Sequence, residues 1–336
     1  MHKKLVKFNT GIVHYYFDAE IKYLGQLVDQ TNTVLITDEN VFSLHQKIFK
    51  NWNTIVLKPG EAYKIQQTVD SVVQQLIELK ADRTTTLIGI GGGVITDITG
   101  YVASIYMRGI SFAFVPTTIL ALVDASIGGK NGVDVGVYKN MIGVIRQPSF
   151  ILYDLSFLKT LPQQEWKNGF AEIIKHACIK DAAMFKKLEK QNLLFYQKNP
   201  IELSALIKRN VLLKTKIVQK DEFEKSGRKL LNFGHTIGHA IENLYTMPHG
   251  EAISIGMVYA TNIAEKELKI KNAGNVSNLL QQYELPTTLK VDRNNVFDVL
   301  KMDKKKSKDS IDFILLEKIG SAVIHRISFT QLKNYI

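Results

Sequence analysis

The first half of the chain alternates short apolar, β-branched runs with stretches of helical periodicity. The runs Thr33–Thr37 and Asn53–Leu57 predict strands, and each ends at polar or turn-forming residues. Between Ile65 and Ala81, apolar residues recur at spacings of three and four, which predicts an amphipathic helix. A strand, a helix and another strand are predicted over Thr84–Ile90, Val94–Met107 and Ser111–Val115. This order is typical of βαβ units and predicts a parallel sheet.

The pattern changes near Ser156, after which helical periodicity dominates. Helices are predicted over Gln163–His176, Ala182–Lys190, Pro200–Lys220, His235–Tyr245 and Glu251–Leu268. Strand signals are scarce until Ile311–Leu316. We therefore expect an α/β domain over residues 1–155 and a mostly α-helical domain over residues 156–336.

Composition and charge narrow the function classes. The single cysteine, Cys178, rules out an intrachain disulfide and a Cys-rich zinc module, so a metal site would use His, Asp and Glu. The net charge of +11 suits either nucleic acid or an anionic small molecule. We expect no nucleic-acid partner, because basic residues do not interleave with aromatic ones in a stripe. The basic run Lys301–Lys308 by itself is typical of a solvated surface.

No targeting or membrane segment is predicted. The N-terminal residues MHKKLVKFNT lack the apolar core of a signal peptide. The longest uncharged stretch, Gly109–Val123, contains Pro116 and falls short of the ~20 apolar residues that span a bilayer. We expect a cytoplasmic protein that does not act at a membrane.

Two glycine clusters are candidate phosphate sites. Gly89–Gly93 lies between a predicted strand and a helix, where a phosphate can approach the backbone. Val94 takes the place of the last glycine of GxGxxG, and a tight turn without a ligand remains an alternative. Asp97 is either a ribose or nicotinamide contact or an ordinary helix-start aspartate. Asp124–Lys130 ends in Gly-Gly-Lys but lacks the Walker A spacing, which argues against a P-loop NTPase.

The histidines form the most chemically distinctive segment. His235 and His239 are four residues apart on one predicted helix, which suits two metal ligands or one ligand and a general base. Spacing alone would pair these two as ligands, and His249 opens the next helix. The predicted helix near residue 170 places a carboxylate, an ammonium and an imidazole on one face: Glu172, Lys175 and His176. One carboxylate and two imidazoles would form a catalytic zinc site with an open position.

Taken together, these segments resemble the 3-dehydroquinate synthase family of sugar-phosphate cyclases. The matching segments run in the family's order over most of the chain: GGGVITD (Gly91–Asp97), YMRGI (Tyr106–Ile110), VPTT (Val115–Thr118), LVDASIGGK (Leu122–Lys130), YKNMIG (Tyr138–Gly143), FLKTLP (Phe157–Pro162), GFAEIIKH (Gly169–His176), NFGHTIGHAIE (Asn232–Glu242) and HGEAISIGM (His249–Met257). The resemblance implies an N-terminal Rossmann-like parallel-sheet domain, a C-terminal mostly α-helical domain, and an active site in the cleft between them.

The resemblance also implies an activity and its cofactors. The family is usually a homodimer that binds NAD and one divalent metal, zinc or alternatively cobalt. It converts an anionic phosphorylated sugar acid, 3-deoxy-D-arabino-heptulosonate 7-phosphate, to 3-dehydroquinate and phosphate. The steps are transient oxidation by NAD, phosphate elimination, reduction, ring opening and intramolecular aldol closure, a lyase reaction of the shikimate pathway.

Residue roles follow from the same resemblance. The metal ligands would be Glu172, His235 and His249, which replaces the pairing of His235 with His239 that spacing favoured. The implied catalytic residues are His239, Lys130, Glu224, Lys175 and Asn232. The implied substrate-binding residues are Arg108, Asp124, Lys130, Asn140, Lys175, Lys214, Glu224, Arg228, Asn232, His239, and Lys304 or Lys305. The implied NAD-binding residues are Asp38, Glu61, Lys64, Gly93, Val94, Ile95, Thr96, Asp97, Thr117, Thr118, Lys130, Lys139, Phe157, Leu158, Lys159 and Thr160. Arg108 would reach the substrate phosphate across the dimer interface.

The chain departs from the family pattern at two places. Thr96 stands where the family often has glycine. Residues 134–138, Asp-Val-Gly-Val-Tyr, replace Asn-His-Pro-Leu-Gly before the retained Lys139-Asn140 pair, and Asp134 adds a negative charge near a site expected to bind anions. Two alternatives share the fold: another sugar-phosphate cyclase, or a metal-dependent polyol dehydrogenase, which would release NADH.

Overall fold

The computed structural model describes residues 1–136, 138–270, 273–290, 292–302, 306–307 and 309–335. The chain forms two compact units. The first contains Met1–Pro162 and Leu206–Phe223, and the second contains Gln163–Ala205 and Glu224–Ile336. The domain boundary expected near residue 155 stays a prediction of the sequence.

The first unit contains most of the strands. They are β1 (His2–Lys7), β2 (Ile12–Phe17), β3 (Thr33–Asp38), β4 (Asn53–Leu57), β5 (Thr86–Gly91), β6 (Ser111–Pro116), β7 (Lys130–Val135), β8 (Tyr138–Ile145) and β9 (Phe150–Leu152). Its α-helices are α1 (Glu39–Leu44), α2 (Gln46–Phe49), α3 (Gln66–Glu78) and α4 (Gly93–Ile105). A π-helical turn covers Ala121–Ala125, and 3-10 turns cover Ile21–Gln26, Gln30–Asn32, Glu61–Tyr63, Tyr106–Arg108 and Leu155–Thr160.

Seven of these strands form one sheet in the order β1-β2-β9-β6-β5-β3-β4. Strands β1 and β2 pair antiparallel, and the other neighbouring pairs are parallel. The central strands β3 and β5 are buried along nearly their whole length. Both faces of a parallel sheet are covered, so its central strands read as continuous apolar runs. The predicted parallel-sheet domain is confirmed.

Local backbone geometry sets the ends of the predicted elements. Helix α3 buries Val69, Val72 and Leu76 and ends before Lys80, whose φ of 56° is not helical. The strand expected from Thr84 begins at Thr86 instead, because the Thr84 amide donates to the Asp82 carboxylate at 2.8 Å and closes a turn there.

The second unit is mostly helical. Its α-helices are α5 (Gln163–Lys180), α6 (Ala182–Leu188), α7 (Leu193–Lys198), the first turn and a half of α8 (Pro200–Lys220), α9 (His235–Leu244), α10 (His249–Leu268), α11 (Ala273–Gln282), α12 (Arg293–Met302) and α13 (Phe329–Leu332). A 3-10 helix covers Gly227–Asn232. The strands β10 (Lys306–Ser307), β11 (Ser310–Lys318) and β12 (Ser321–Ser328) form an antiparallel sheet. From Leu206 onward, α8 belongs to the first unit. Within the described ranges, no helix is both long and apolar enough to cross a bilayer.

Candidate active site

One face of α5 provides a buried ion pair in the second unit. Glu172 is 0% exposed and Lys175 is 1% exposed, and the Lys175 ammonium contacts the Glu172 carboxylate one helical turn away. A buried carboxylate needs a cation or hydrogen-bond donors, because removing it from water costs several kcal/mol. This cost favours positive or metal-binding groups around Glu172.

Close packing of α9 and α10 brings two histidines to that carboxylate. Gly234 precedes α9 with a φ of 78°, in the left-handed region that favours glycine. A Cβ on Gly256 of α10 would lie 2.0 Å from the carbonyl oxygen of Gly234, so only glycine permits this approach of the two backbones. His235 and His249 are the first residues of the two helices. The start of α9 therefore packs against the second turn of α10, and the ring centroids of the two imidazoles are 5.5 Å apart.

The two imidazoles and the carboxylate form a compact three-ligand group. The Nε2 atoms of His235 and His249 each lie 3.7 Å from Oε1 of Glu172. One ligand atom from each residue lies within 4.8 Å of the others. This donor set of one carboxylate and two imidazoles is one that catalytic zinc sites use.

In each of these two imidazoles, Nδ1, the nitrogen that does not face Glu172, has its own hydrogen-bond acceptor. The Nδ1–H of His235 donates to the carbonyl oxygen of Phe233 at 3.1 Å, and that of His249 donates to Glu242 Oε2 at 3.1 Å. Such acceptors fix the ring orientation and leave Nε2 for a cation. Glu242 was not predicted from sequence, although its spacing of seven from His235 places it on the same face of α9.

The pKa values of His235 and His249 shift in opposite directions from the usual histidine value. Burial, and then the Lys175 ammonium, lower the pKa of His235 well below its usual value, so its imidazole is neutral at neutral pH. Burial also acts to lower the pKa of His249, but Glu172 and Glu242 outweigh it and raise the pKa to about 10. A cation bound at this group would replace a proton on His249.

His239 lies beside the group without belonging to it. Its ring centroid is 5.1 Å from that of His235 and 6.1 Å from that of His249. It forms a second cluster of potential ligands with Glu242 and His249. The potential ligands grouped around Glu172 are thus His235 and His249, the set that the resemblance implied, rather than His239, which spacing favoured. Their role as metal ligands stays a prediction.

The other candidate residues of the second unit surround a turn before α9. Glu224 has a φ of 56°, and its carboxylate accepts a hydrogen bond of 2.7 Å from the side-chain amide of Asn232. Arg228 is buried on the 3-10 helix Gly227–Asn232. Lys304 and Lys305 lie outside the described residues.

In the first unit, the glycine turn (Gly89–Gly93) leads into α4, and its backbone packs closely against neighbouring residues. Cβ atoms on Gly92 and Gly93 would lie 3.2 Å from Thr118 and 3.3 Å from Ala125. The Thr117 amide donates to the Gly91 carbonyl at 3.0 Å. A phosphate can approach the amide groups of such a turn because no side chain stands in front of them.

Thr96, a departure from the family pattern, is accommodated inside this turn. Its side chain is buried, and its hydroxyl donates to the carbonyl oxygen of Gly93 at 2.9 Å. The neighbouring Val94 and Ile95 belong to the same first turn of α4. The polar atom of Thr96 is thus satisfied within the helix and does not disturb it.

A network of charges lies beside the glycine turn. The ammonium of Lys64 lies 2.5 Å from Asp97 and donates to the amide oxygen of Asn140 at 2.7 Å. Lys139 lies 3.3 Å from Glu61. Burial acts to lower the pKa of Lys64, but the carboxylates of Asp97 and Glu61 outweigh it and hold the pKa above its usual value. Lys64 therefore remains a cation.

A second ion pair links α8 to the π-helical turn. The ammonium of Lys214 donates to the carboxylate of Asp124 at 2.6 Å and to its backbone carbonyl at 2.7 Å. Lys130 is exposed at the start of β7. Arg108 is exposed too, on a backbone with a φ of 67°.

The remaining candidates lie near the ends of β3 and β9. Oδ1 of Asp38 accepts hydrogen bonds of 3.0 Å from two amides and so caps α1. Phe157 and Leu158 are buried, and Lys159 and Thr160 are in the same 3-10 turn. His45, which was not predicted, lies 2.9 Å from the Thr160 hydroxyl and packs edge-on against Phe157. A lone histidine after a short helix carries no sequence signal for this contact.

Two family models match consecutive parts of the chain. The 3-dehydroquinate synthase N-terminal model matches residues 54–168, and the C-terminal model matches residues 169–306. The chain is 42% identical over 306 residues to a 3-dehydroquinate synthase of Nitratiruptor sp., covering 88% of this chain and 86% of that protein.

Solved structures agree with this relationship. A 2-deoxy-scyllo-inosose synthase complexed with carbaglucose-6-phosphate, NAD+ and Co2+ superimposes with a TM-score of 0.86 at 26% identity, covering 99% of this chain and 98% of that one. The 2-epi-5-epi-valiolone synthase of Streptomyces hygroscopicus, with NAD+ and Zn2+ bound, gives 0.87 at 25% identity, covering 100% and 97%. On sequence and fold together, this chain belongs to the 3-dehydroquinate synthase family.

Proposed function

We propose that this chain converts 3-deoxy-D-arabino-heptulosonate 7-phosphate to 3-dehydroquinate and phosphate, with NAD and a divalent metal as cofactors. The observation that carries the proposal is the group of Glu172, His235 and His249 around one point. We further propose that the enzyme works as a homodimer in the cytoplasm. A single cysteine that is buried and free suits a reducing compartment.

The metal ligands in this proposal are those three residues, with zinc as the preferred ion and cobalt as an alternative. Two imidazoles and one carboxylate leave a coordination position for a substrate oxygen. When bound, the ion would polarise a substrate hydroxyl and lower its pKa. Lys175, beside Glu172, would donate hydrogen bonds to substrate oxygens. Glu242 and the Phe233 carbonyl would hold the two imidazoles in the required orientation.

NAD is proposed to lie along the first unit. Its phosphates would approach the amides of Gly93, Val94 and Ile95, where the helix dipole favours negative charge. Lys64 and Lys139 would supply the nearby cations, and Asp97 would accept from a ribose or nicotinamide group. When bound, NAD would take a hydride from the substrate and later return it, so the reaction has no net redox change.

The cationic side chains suit the two anionic groups of the substrate. A carboxylate and a phosphate favour lysine and arginine around them. Arg108, Lys130, Lys214 and Arg228 are the candidates for these contacts. Oxidation would acidify the C–H next to the new ketone. A base of the site would take that proton, and the electron pair left behind would form a C=C bond as the C–O bond to phosphate breaks. His239, close to the metal ligands, is the candidate for proton transfer.

Phosphate release from 3-deoxy-D-arabino-heptulosonate 7-phosphate tests the proposal. The enzyme is assayed with NAD and zinc before and after chelation, and NADH absorbance is followed in the same cuvette. We expect release that requires both cofactors, with no accumulation of NADH. His249→Ala should lose metal and activity together. His325→Ala is the matched control, because His325 pairs with Glu267 on α10, away from the ligand group.

Two other results would contradict the proposal. Release only from a different sugar phosphate would identify another sugar-phosphate cyclase, the class of the two superimposed structures. Steady formation of NADH from a polyol would identify a dehydrogenase. The 42% identity to a 3-dehydroquinate synthase, against 25–26% to the other two cyclases, favours the proposed substrate.

A further inference from the structure

The hairpin of β7 and β8 contains an irregularity where the chain departs from its family. Val133 pairs with Ile142, and the next pair is Val135 with Tyr138. One residue of β7, Asp134, therefore faces three residues of β8, the segment Lys139–Met141. This segment bulges out of the ladder, and Asn140 within it has a φ of 52°. The bulge presents two residues to which the family resemblance gives roles, Lys139 for the cofactor and Asn140 for the substrate.

Asp134 links this bulge to a distant part of the chain. Its carboxylate Oδ1 accepts a hydrogen bond of 2.6 Å from the backbone amide of Asn140, and Oδ2 lies 3.4 Å from the Lys139 ammonium. Its own amide donates to the carbonyl oxygen of Lys64 at 2.8 Å. The Lys64 side chain in turn donates to the Asn140 side chain at 2.7 Å. Asp134, Asn140 and Lys64 thus form a closed set of hydrogen bonds.

Burial makes these contacts necessary rather than incidental. Asp134 is only 7% exposed, and burial raises its pKa from the usual aspartate value, while the Asn140 amide and the Lys64 ammonium oppose the rise. A buried carboxylate without such partners would be strongly destabilising. The bulge in turn needs an acceptor for the Asn140 amide, because a left-handed non-glycine residue is held only by its surroundings.

We propose that Asp134 is a positioning residue, whose side chain holds the bulge of Lys139 and Asn140 against Lys64 and thereby sets the affinity for NAD. The inference rests on the proposed function for the identity of the ligand. The affinity for NAD depends on the hydrogen bond that the backbone amide of Asn140 donates to the side chain of residue 134. The side-chain oxygen of an asparagine at position 134 can therefore replace the carboxylate. This explains how the chain retains Lys139 and Asn140 although the loop before them differs from the family pattern.

Two variants of the full-length, zinc-loaded protein test the inference. Asp134→Ala removes the acceptor, whereas Asp134→Asn keeps an oxygen that the Asn140 amide can reach. Asp82→Ala is the matched control, because Asp82 also accepts a backbone amide in a turn, that of Thr84, outside the candidate site. Hydrogen exchange of the amides of residues 138–142 is measured without NAD, and the Kd for NAD is measured by calorimetry.

We expect faster exchange in the bulge and about a tenfold higher Kd for Asp134→Ala, the effect of losing one hydrogen bond. Asp134→Asn should restore slow exchange and bring the Kd to within about twofold of the wild-type value. Wild-type exchange in Asp134→Ala, or equally fast exchange in both variants, would overturn the inference. Faster exchange with an unchanged Kd for NAD in Asp134→Ala would also overturn it. Failure of the wild-type protein to bind NAD would instead count against the proposed function, since the exchange data test the bulge without NAD.

Discussion

Glu242 Oε2 lies 3.1 Å from His249 Nδ1, on the side of the imidazole opposite to Glu172. His249 is thereby held between two carboxylates, one buried on α5 and one on α9. The carboxylate of Glu242 fixes the orientation of the His249 ring. The carboxylate of Glu172 lies on the side where a cation would bind. The strength of the proposed metal site would thus depend on Glu242, a residue that would not itself be a ligand.

Glu242→Gln should weaken zinc binding by about ten- to a hundredfold, because an amide orients the His249 ring less strongly and adds no charge to it. Competition with a chelator of known affinity measures the effect. Glu267→Gln is the control, since Glu267 lies 3.3 Å from another histidine, His325, outside the ligand group. An unchanged zinc affinity in Glu242→Gln would show that the ring is oriented by other contacts.

Gly256→Ala should destabilise the second unit and lower its zinc content. The added Cβ would lie 2.0 Å from the Gly234 carbonyl oxygen and force α9 and α10 apart. We expect a loss of about 3 kcal/mol in the free energy of unfolding, measured by urea denaturation. Gly274→Ala on α11 is the control, because a Cβ there meets nothing within 4 Å. Equal stability of the two variants would contradict the close helix contact.

Glu222 should make stability depend on acid pH. Glu222 is 1% exposed, and its carboxylate accepts hydrogen bonds from the backbone amides of Asn9 and Thr10 at 2.7 and 3.2 Å, and from the Gln147 side chain at 2.7 Å. Burial acts to raise the pKa of Glu222, but the hydrogen bonds from Thr10, Gln147 and Asn9 outweigh it and lower the pKa. The ionised form is therefore favoured in the folded state.

A lowered folded-state pKa gives stability that is complete above the unfolded value of about 4.3 and is lost as pH falls through the folded value. Glu222→Gln should cost about 2 kcal/mol at neutral pH, since one charged acceptor is replaced by an amide. The difference from wild type should shrink on acidification below about pH 4. Unfolding curves over this range provide the measurement, and a constant difference would show that the charge of Glu222 is not responsible.

Arg108→Ala should weaken recognition of the substrate phosphate and raise KM more than it lowers kcat. The side chain is exposed on a left-handed backbone, which suits a contact made outside its own unit's core. If Arg108 acts across a dimer interface, mixing Arg108→Ala with His249→Ala should restore roughly a quarter of wild-type activity, because half of the dimers are mixed and each has one intact site. Absence of recovery would place Arg108 in the site of its own subunit.

Much of the fold was predictable from local patterns. The strands at Thr33–Asp38 and Asn53–Leu57 and the helix Pro200–Lys220 agree with their apolar periodicity. The hairpin of β7 and β8 was not predicted. Strand β8 is largely exposed or half-buried, so its side chains lack the alternation by which a half-buried strand is recognised.

The sequence by itself determined the elements, the glycine turn and the set of chemically suitable residues, because periodicity, turn chemistry and side-chain type are local properties. Only the tertiary structure decided which of them meet. It joined His249 rather than His239 to His235 and Glu172, because Gly256 lets two helices approach to backbone contact. It also placed the Asp134 carboxylate within hydrogen-bond distance of the backbone amide of Asn140. Such meetings depend on packing between segments distant in sequence, which spacing along one helix or strand does not encode.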